Sequence, residues 1–392
     1  MTRRSLLRRA GAALALALAT ALASPGVGAF SLDDLRDPED GRFDTSRFLL
    51  DLKGVLPVPI VITEPALGYG LGAALLYFRR NDAPVGEGAG AAEGRGPTPP
   101  DITALAAFRT ENGSEGGVLG HLGFSRDGRW RYAAAFGRTS LNLELFADAA
   151  PTGGPAASSE GLGYNLDTRF VFGDLRRRVG DTPWMVGARY VRIDATSPFD
   201  LTAPPAVPAR HLDTTIAGLA LIAEYDDRDN IFTPNRGSRL TLNAHDFGDL
   251  WGGDEAFRLY RAALNTHWPV TPELVLSGRL DWRGASGDTP FYARPYIELR
   301  GIPALRYQGD KVLAAEVEGR WNMDGRWSLV GFGGAGRAAG GGADLGSTPT
   351  RTTIGVGLRY FVARLLGLHV GLDVARGPEE SAFYIIVGSA WR

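Results

Sequence analysis

The stretch Thr353–Ala375 reads TIGVGLRYFVARLLGLHVGLDVA, two alternating runs around a short interruption at Arg364–Gly367. Ile354, Val356, Leu358, Tyr360 and Val362 alternate with Thr353, Gly355, Gly357, Arg359 and Phe361, and Leu368, Val370, Leu372 and Val374 with His369, Gly371, Asp373 and Ala375. Successive side chains of a strand point to opposite faces, so each run has one apolar face and one small or charged face. The pattern recurs in Val312–Trp321, where Leu313, Ala315, Val317 and Trp321 oppose Glu316, Glu318 and Arg320. A soluble sandwich alternates too. Regularity and segment length separate it from a membrane barrel, whose strands alternate lipid-facing and lumen-facing residues over about 10 positions.

Segments of this kind run from Ala66–Arg80 to Ser381–Trp391, and counting Leu141–Ala147 as a strand of its own brings them to sixteen, an even number as single-chain bacterial barrels have. Short turns then fall at Leu175–Thr182, Asp227–Asn235, Val270–Thr271, Asn322–Gly325 and Arg364–Gly367 on the periplasmic side. The longer links Thr196–His211, Ser286–Gln308 and Ala339–Thr350 fall outside. The expected fold is all-β, a transmembrane antiparallel β-barrel over residues 55–392. Trp391, next to last, is expected in an aromatic girdle at the periplasmic interface. The Gly-rich pieces Gly86–Gly96 and Ala338–Asp344 are not followed by Lys-Ser/Thr and open no helix, so they read as flexible external loops rather than phosphate loops.

Upstream, Arg3, Arg4, Arg8 and Arg9 precede the Ala/Leu run Ala10–Ala23, and small residues follow at Ala21–Ala23 and Val27–Ala29. The run is too short to span a bilayer as a helix, which needs roughly 20 residues. Residues 1–29 read as a cleaved export signal with an ordinary basic start, though TRRSLLR also has the look of a twin-arginine signal. Its loss takes the formal charge from -2 to -6, which offers nothing to nucleic acid. Residues 30–54 are polar, without periodicity, and read as a short periplasmic lead or plug. With 0 Cys, disulfides, thiol nucleophiles and Cys-ligated metals are excluded.

Tyr225–Ala244, YDDRDNIFTPNRGSRLTLNA, crowds charges into one of the short turns. Pro234 removes a backbone donor, Gly237 permits a tight bend, and Asp226, Asp227 and Asp229 are placed to accept backbone N–H bonds or pair with Arg228, Arg236 and Arg239. This D-x-R-D-N-x-F-x-P-x-R-G pattern, Asp226–Gly237, resembles a turn in the barrels of the BamA/TamA superfamily, also called bacterial surface antigens. PVPIVITEPALGYGLGAALLYF resembles that family's first barrel strand, LRGIPALRYQGDKVLAAEVEGRW its sixth external loop and following strand, and the C-terminal end its closing strands.

The resemblance implies that the Arg of an (V/I)RG(F/Y) signature folds back into the lumen and pairs with an acid on the wall. Leu299-Arg300-Gly301-Ile302 matches it at Arg300 and Gly301. In the wall signature F-x-D-x-G, here Phe332–Gly336, Gly334 stands where the Asp belongs. A guanidinium in a partly dehydrated lumen needs a carboxylate, and Glu316, Glu318 and Asp373 are the inward-facing candidates for latching Arg300, with Asp373 also within the scope of Arg359. Family members that insert or translocate clients carry periplasmic POTRA domains. Only the short lead stands before this barrel, so the chain is expected to be an orphan member.

Function is expected to be non-enzymatic: a plugged outer-membrane barrel serving as scaffold, narrow gated pore or helper in protein or lipid handling. Its partners would be outer-membrane lipids, the barrel assembly machinery during biogenesis and an unidentified protein or lipid client, with no cofactor. Gly68, Gly70 and Gly72 at the start and Gly388 at the end suggest a weak seam between first and last strands. The alternatives are a lipase- or protease-type barrel enzyme and an open diffusion porin. His245 and His267 lie on neighbouring expected strands and His369 faces inward, but His245 and Asp246 point to opposite faces and no His/Asp/Glu spacing suits a metal.

Overall fold

The computed structural model describes residues 35–51, 54–79, 101–145, 162–198 and 213–391. The proposed signal, residues 1–29, lies outside them, as do the Gly86–Gly96 stretch and most of the Thr196–His211 link. A short helix, α1 (Ser46–Asp51), precedes one antiparallel sheet in strict chain order. Its strands are β1 (Gly54–Ile62), β2 (Gly70–Arg79), β3 (Asp101–Thr110), β4 (Glu115–Phe124), β5 (Trp130–Leu145), β6 (Leu162–Arg178), β7 (Trp184–Thr196) and β8 (Asp213–Asp226). β9 (Gly237–Phe247), β10 (Phe257–Pro269), β11 (Leu274–Gly287), β12 (Lys311–Asn322), β13 (Trp327–Ala339), β14 (Arg351–Ala363), β15 (Leu368–Arg376) and β16 (Ser381–Val387) complete it.

The sheet has 16 strands and curls into a nearly closed barrel. Its strand identities depart from expectation in two places that cancel in the count. β1 pairs with β2 from Gly54↔Phe78 to Ile62↔Gly70, ahead of the expected first strand, because its run VLPVPIVI is apolar on both faces and shows no alternation. β5 runs unbroken to Leu145, so Leu141–Ala147 is the upper end of a longer strand.

Which face is inside follows from contacts between strands that are not neighbours. Arg131 of β5 reaches Glu224 of β8 at 2.7 Å, so residues in register with Arg131 line the lumen. Outside lie Leu75, Leu105, Phe136, Leu221, Val317, Ile354 and Val356, all exposed. An apolar outer face this extensive has no favourable place in water and suits hydrocarbon.

Alternate connections share an end. The turns β4–β5, β6–β7, β8–β9, β10–β11, β12–β13 and β14–β15 form one rim, the turn rim, and the long links form the loop rim. Arg79 pairs with Asp101, so the connection holding Gly86–Gly96 leaves and returns at the turn rim, not among the external loops. Exposed Trp130, Trp268, Trp321 and Trp327 at strand ends ring the turn rim. Trp391 does not join them. β16 stops at Val387, Gly388 turns the chain at φ 78°, and Trp391 is buried with its ring centroid 6.0 Å from that of His267 on β10. Gly388 tolerates no side chain, since a Cβ would stand 2.8 Å from the Phe232 carbonyl of the β8–β9 turn.

Candidate functional site

The β11–β12 connection, residues 288–310, folds into the barrel. Ile297, Leu299, Ile302 and Tyr307 bury themselves against Val312 and Ala314 of β12, and the loop closes on itself through Ile297 N–H to Tyr307 O (3.0 Å) and Gly309 N–H to Pro295 O (2.9 Å). Phe291 packs edge-on against Tyr164 of β6 with ring centroids 5.1 Å apart. Ala304 N–H donates to Glu64 Oε1 in the β1–β2 link at 3.0 Å. The loop thus spans the lumen.

Arg300 is buried at its centre. Nε donates to Glu316 Oε1 at 2.7 Å, Nη1 to Asp373 Oδ2 at 2.7 Å, and Nη2 lies 2.8 Å from Glu318 Oε2. All three expected carboxylates surround it, and Asp373 also receives Arg359 Nη2 at 2.9 Å. The guanidinium carbon sits 3.5 Å above the Phe332 ring centroid. Charge-assisted, fork-like contacts are what make such a buried cation tolerable.

The substitution at Gly334 has a steric reason. A Cβ there would stand 2.9 Å from Leu299 Cδ2, and one at Gly336 2.7 Å from Ile297 Cγ2, so the loop's apolar side chains occupy the space an Asp would need. The carboxylate has moved one strand over: Glu316 is the residue directly opposite Gly334 in the β12–β13 ladder. Gly301 has φ 95°, donates its N–H to Tyr384 Oη at 2.9 Å, and its carbonyl oxygen would lie 1.9 Å from a Cβ on Gly377, so only glycines allow this approach of the loop to the β15–β16 hairpin.

The charged turn at 227–236 is more than a local bend. Arg228 forks onto Asp226 (2.8 and 2.8 Å), and Asp229 Oδ1 accepts the N–H groups of Asn235 (3.0 Å) and Arg236 (3.3 Å). Gly237 takes φ 93°, where a Cβ would meet the Asp227 carbonyl at 2.6 Å. Arg239 departs from expectation: it pairs with Glu224 (2.8 Å), not with the turn acids. Pro234 is fully buried, Asn230 Nδ2 donates to Leu366 O at 3.0 Å, and Thr233 Oγ1 accepts the His369 N–H at 3.3 Å. The turn therefore bridges to the β14–β15 turn and β15.

Three further ion clusters escaped the sequence reading. Glu224 gathers Arg131, Arg176 and Arg239, and Asp281 gathers Arg261, Arg279 and Arg283, all from inward positions of β5–β11. The signal lay only on the diagonal: Arg239 opposes Asp226, two places from Glu224, and Arg261 opposes Arg283, two places from Asp281. At the turn rim Arg326, fully buried, donates to Asp37 Oδ2 (2.6 Å), Asp40 Oδ2 (2.6 Å) and Asp44 Oδ2 (2.5 Å) of the lead segment, and Arg364 donates to Asp37 Oδ2 at 2.6 Å. The Arg326 hydrogen bond holds the Asp40 carboxyl down at about 2, and the Arg364 hydrogen bond likewise lowers Asp37. The lead is thereby docked under β12–β15.

The inner face of β1–β4 has no charges, and two apolar rows cross it and run on to β7 between the ion pairs and the loop rim. Leu56, Leu76, Ala104, Gly120, Ala135, Phe172 and Val191 form one cross-strand row from β1 to β7, and Val58, Ala74, Ala106, Val118, Gly137, Phe170 and Ile193 the next. This wall ends at β1, and among the described residues no ladder joins β1 to β16. Tyr69, just before β2, stacks on Phe383 of β16 with ring centroids 5.2 Å apart. Pro57 and Pro59 cannot donate, so the hydrogen-bonded pairs of β1 with β2 are those of the intervening residues, and both prolines turn their donorless nitrogens to the free edge. His267 Nδ1 lies 2.8 Å from Ser277 Oγ, a pairing the sequence did not suggest, and no carboxylate holds its other nitrogen among the described residues.

No family model and no curated protein sequence matches the chain. Solved structures do. BamA from Haemophilus ducreyi lacking POTRA domains 1-3 superposes with a TM-score of 0.56 at 12% identity, over 86% of this chain and 70% of that one. The fold is that of a BamA-like barrel. CdiB from Acinetobacter baumannii (TM-score 0.55, 13% identity, 86% of this chain, 60% of that one) and CdiB from Escherichia coli (0.57, 11%, 84% and 62%) share it. The chain thus spans less than two thirds of the length of either CdiB structure.

Proposed function

We propose that the chain is a non-enzymatic outer-membrane barrel, exported by its N-terminal signal, whose lumen is plugged by the 288–310 loop and whose seam admits lipid chains to the apolar inner wall. The observation that carries this reading is the continuity of that wall, two uninterrupted apolar rows ending at a strand edge without a ladder. Apolar surface facing a lumen is unfavourable in water and favourable against hydrocarbon. The BamA-like fold and the exposed tryptophans at the turn rim support placement in an outer membrane with that rim periplasmic.

Help to a protein client by strand addition is the second reading, and the resemblance to BamA/TamA proteins favours it. Against it, Pro57 and Pro59 deprive the free edge of β1 of two donors that an incoming strand would use. A lipase-type site would need an orienting acid beside His267. An open porin would need the loop out of the lumen.

A disulfide tests the seam, since the chain has 0 Cys of its own. Tyr69→Cys with Phe383→Cys, oxidised in proteoliposomes, is expected to stop uptake of a fluorescent acyl-chain lipid and to restore it on reduction. Uptake indifferent to oxidation removes the seam from the mechanism.

A further inference from the structure

The cross-strand register places three rows side by side on the outer face of β2–β6. Ala73, Ala107, Gly117, Arg138 and Arg169 form the middle row, and Leu75, Leu105, Leu119, Phe136 and Val171 the row on its turn-rim side. On β5 and β6 the row towards the loop rim is polar, Ser140 opposite Asp167. Small residues beside large ones leave a trough, and these two rows line a groove of about 830 Å³ whose accessible surface is almost wholly apolar. It closes at one end on Arg138 and Arg169.

The two arginines are directly opposite each other, exposed, and without a partner among the described residues. Asp194, the β7 neighbour of Arg169, accepts from Arg192 (2.9 Å) and Thr215 Oγ1 (3.0 Å). Like charges facing each other across a ladder repel, and a shared anion removes the repulsion. From Arg138 towards the turn rim the outward residues are Phe136, Ala134, Tyr132 and Trp130, and towards the loop rim Ser140, Asn142 and Glu144. The pair therefore marks the polar boundary of the apolar belt on the side away from the tryptophans.

We propose that this face holds a phosphorylated, acylated glycolipid of the outer leaflet, its phosphate bridged by Arg138 and Arg169 and an acyl chain lying in the groove. Planar guanidinium groups bind phosphate oxygens in fork geometry, and the groove supplies the apolar contact a free phosphate lacks. The inference rests on the outer-membrane placement above but not on the seam.

The test uses the full chain isolated from fractionated outer membranes and purified in detergent: recovery in that fraction reports on placement and heat-dependent gel mobility on barrel folding, both separately from binding. Bisphosphorylated lipid A is titrated against the wild type, the Arg138→Ala/Arg169→Ala double variant and the Arg138→Lys/Arg169→Lys double variant, with binding read by native mass spectrometry. The expected result is binding weakened about tenfold or more by the double Ala change and by removal of the lipid's phosphates, and less by the double Lys change, which keeps the charge but not the fork. Equal binding by wild type and the folded double Ala variant overturns the site. Phosphatidylglycerol binding as tightly as lipid A overturns the assignment to an outer-leaflet glycolipid.

Discussion

The inner surface of this barrel is divided. From β5 to β15 it carries buried ion pairs that converge on Arg300, Glu224 and Asp281, and from β1 to β4 it carries apolar side chains, alanine and glycine. Both walls come from strands paired antiparallel in one continuous sheet. The difference teaches that backbone ladders alone do not decide what the lumen holds: the charged wall fixes a polypeptide plug by specific pairing, whereas the apolar wall has nothing directional to offer and suits a ligand without direction, a hydrocarbon chain.

The largest expected effect comes from the charged wall. Arg300→Ala leaves buried Glu316 and half-buried Glu318 without their cation while Asp373 keeps Arg359, and breaking a buried ion pair from one side costs about 3–5 kcal/mol. The heat-modifiable gel transition should fall markedly and planar-bilayer conductance should rise as the loop loosens. Glu316→Ala should reproduce part of both, because Arg300 keeps Asp373 and Glu318.

Gly334→Asp restores the acid of the resembled signature, and the comparison of walls says that it should harm. Its side chain would collide with Leu299, so a melting loss of about 1–3 kcal/mol is expected, as for other overpacked sites, whereas Gly331→Ala, with nothing within 4 Å, should be silent. On the apolar wall Leu76→Glu should abolish lipid uptake, because it brings a charge to the surface that the acyl chains would cover. The smallest effect concerns the lead segment. Its aspartates are held below their ordinary range by Arg326 and Arg364, so docking is complete above about pH 4 and is lost as pH falls towards about 2. Pepsin cleavage within residues 35–51 should rise over that interval, and Arg326→Ala should expose the same segment at neutral pH.

Much of the fold was legible because alternation survives wherever one face is apolar and the other carries charge, as in β12, β14 and β15. β1 was not, since VLPVPIVI is apolar on both sides, and that same property lets its inner face end the proposed lipid surface at the free edge. The partners of Arg300 could be narrowed to inward carboxylates by parity, but not to all three together, because convergence depends on how deeply the loop folds in. Trp391 was misplaced because the break at Gly388 depends on its approach to Phe232, a contact 156 positions away that no local pattern announces.

One measurement bears most directly on the divided lumen. In the cysteine-free chain, an environment-sensitive fluorophore is attached through Ala104→Cys on the apolar wall or Ser277→Cys on the charged wall, and the barrel is reconstituted into bilayers containing lipids brominated along the acyl chain. Bromine quenches only on close approach. Strong quenching at position 104 and none at position 277 is the predicted result; equal access of both sites to a water-soluble quencher, with no bromine quenching at either, would contradict it.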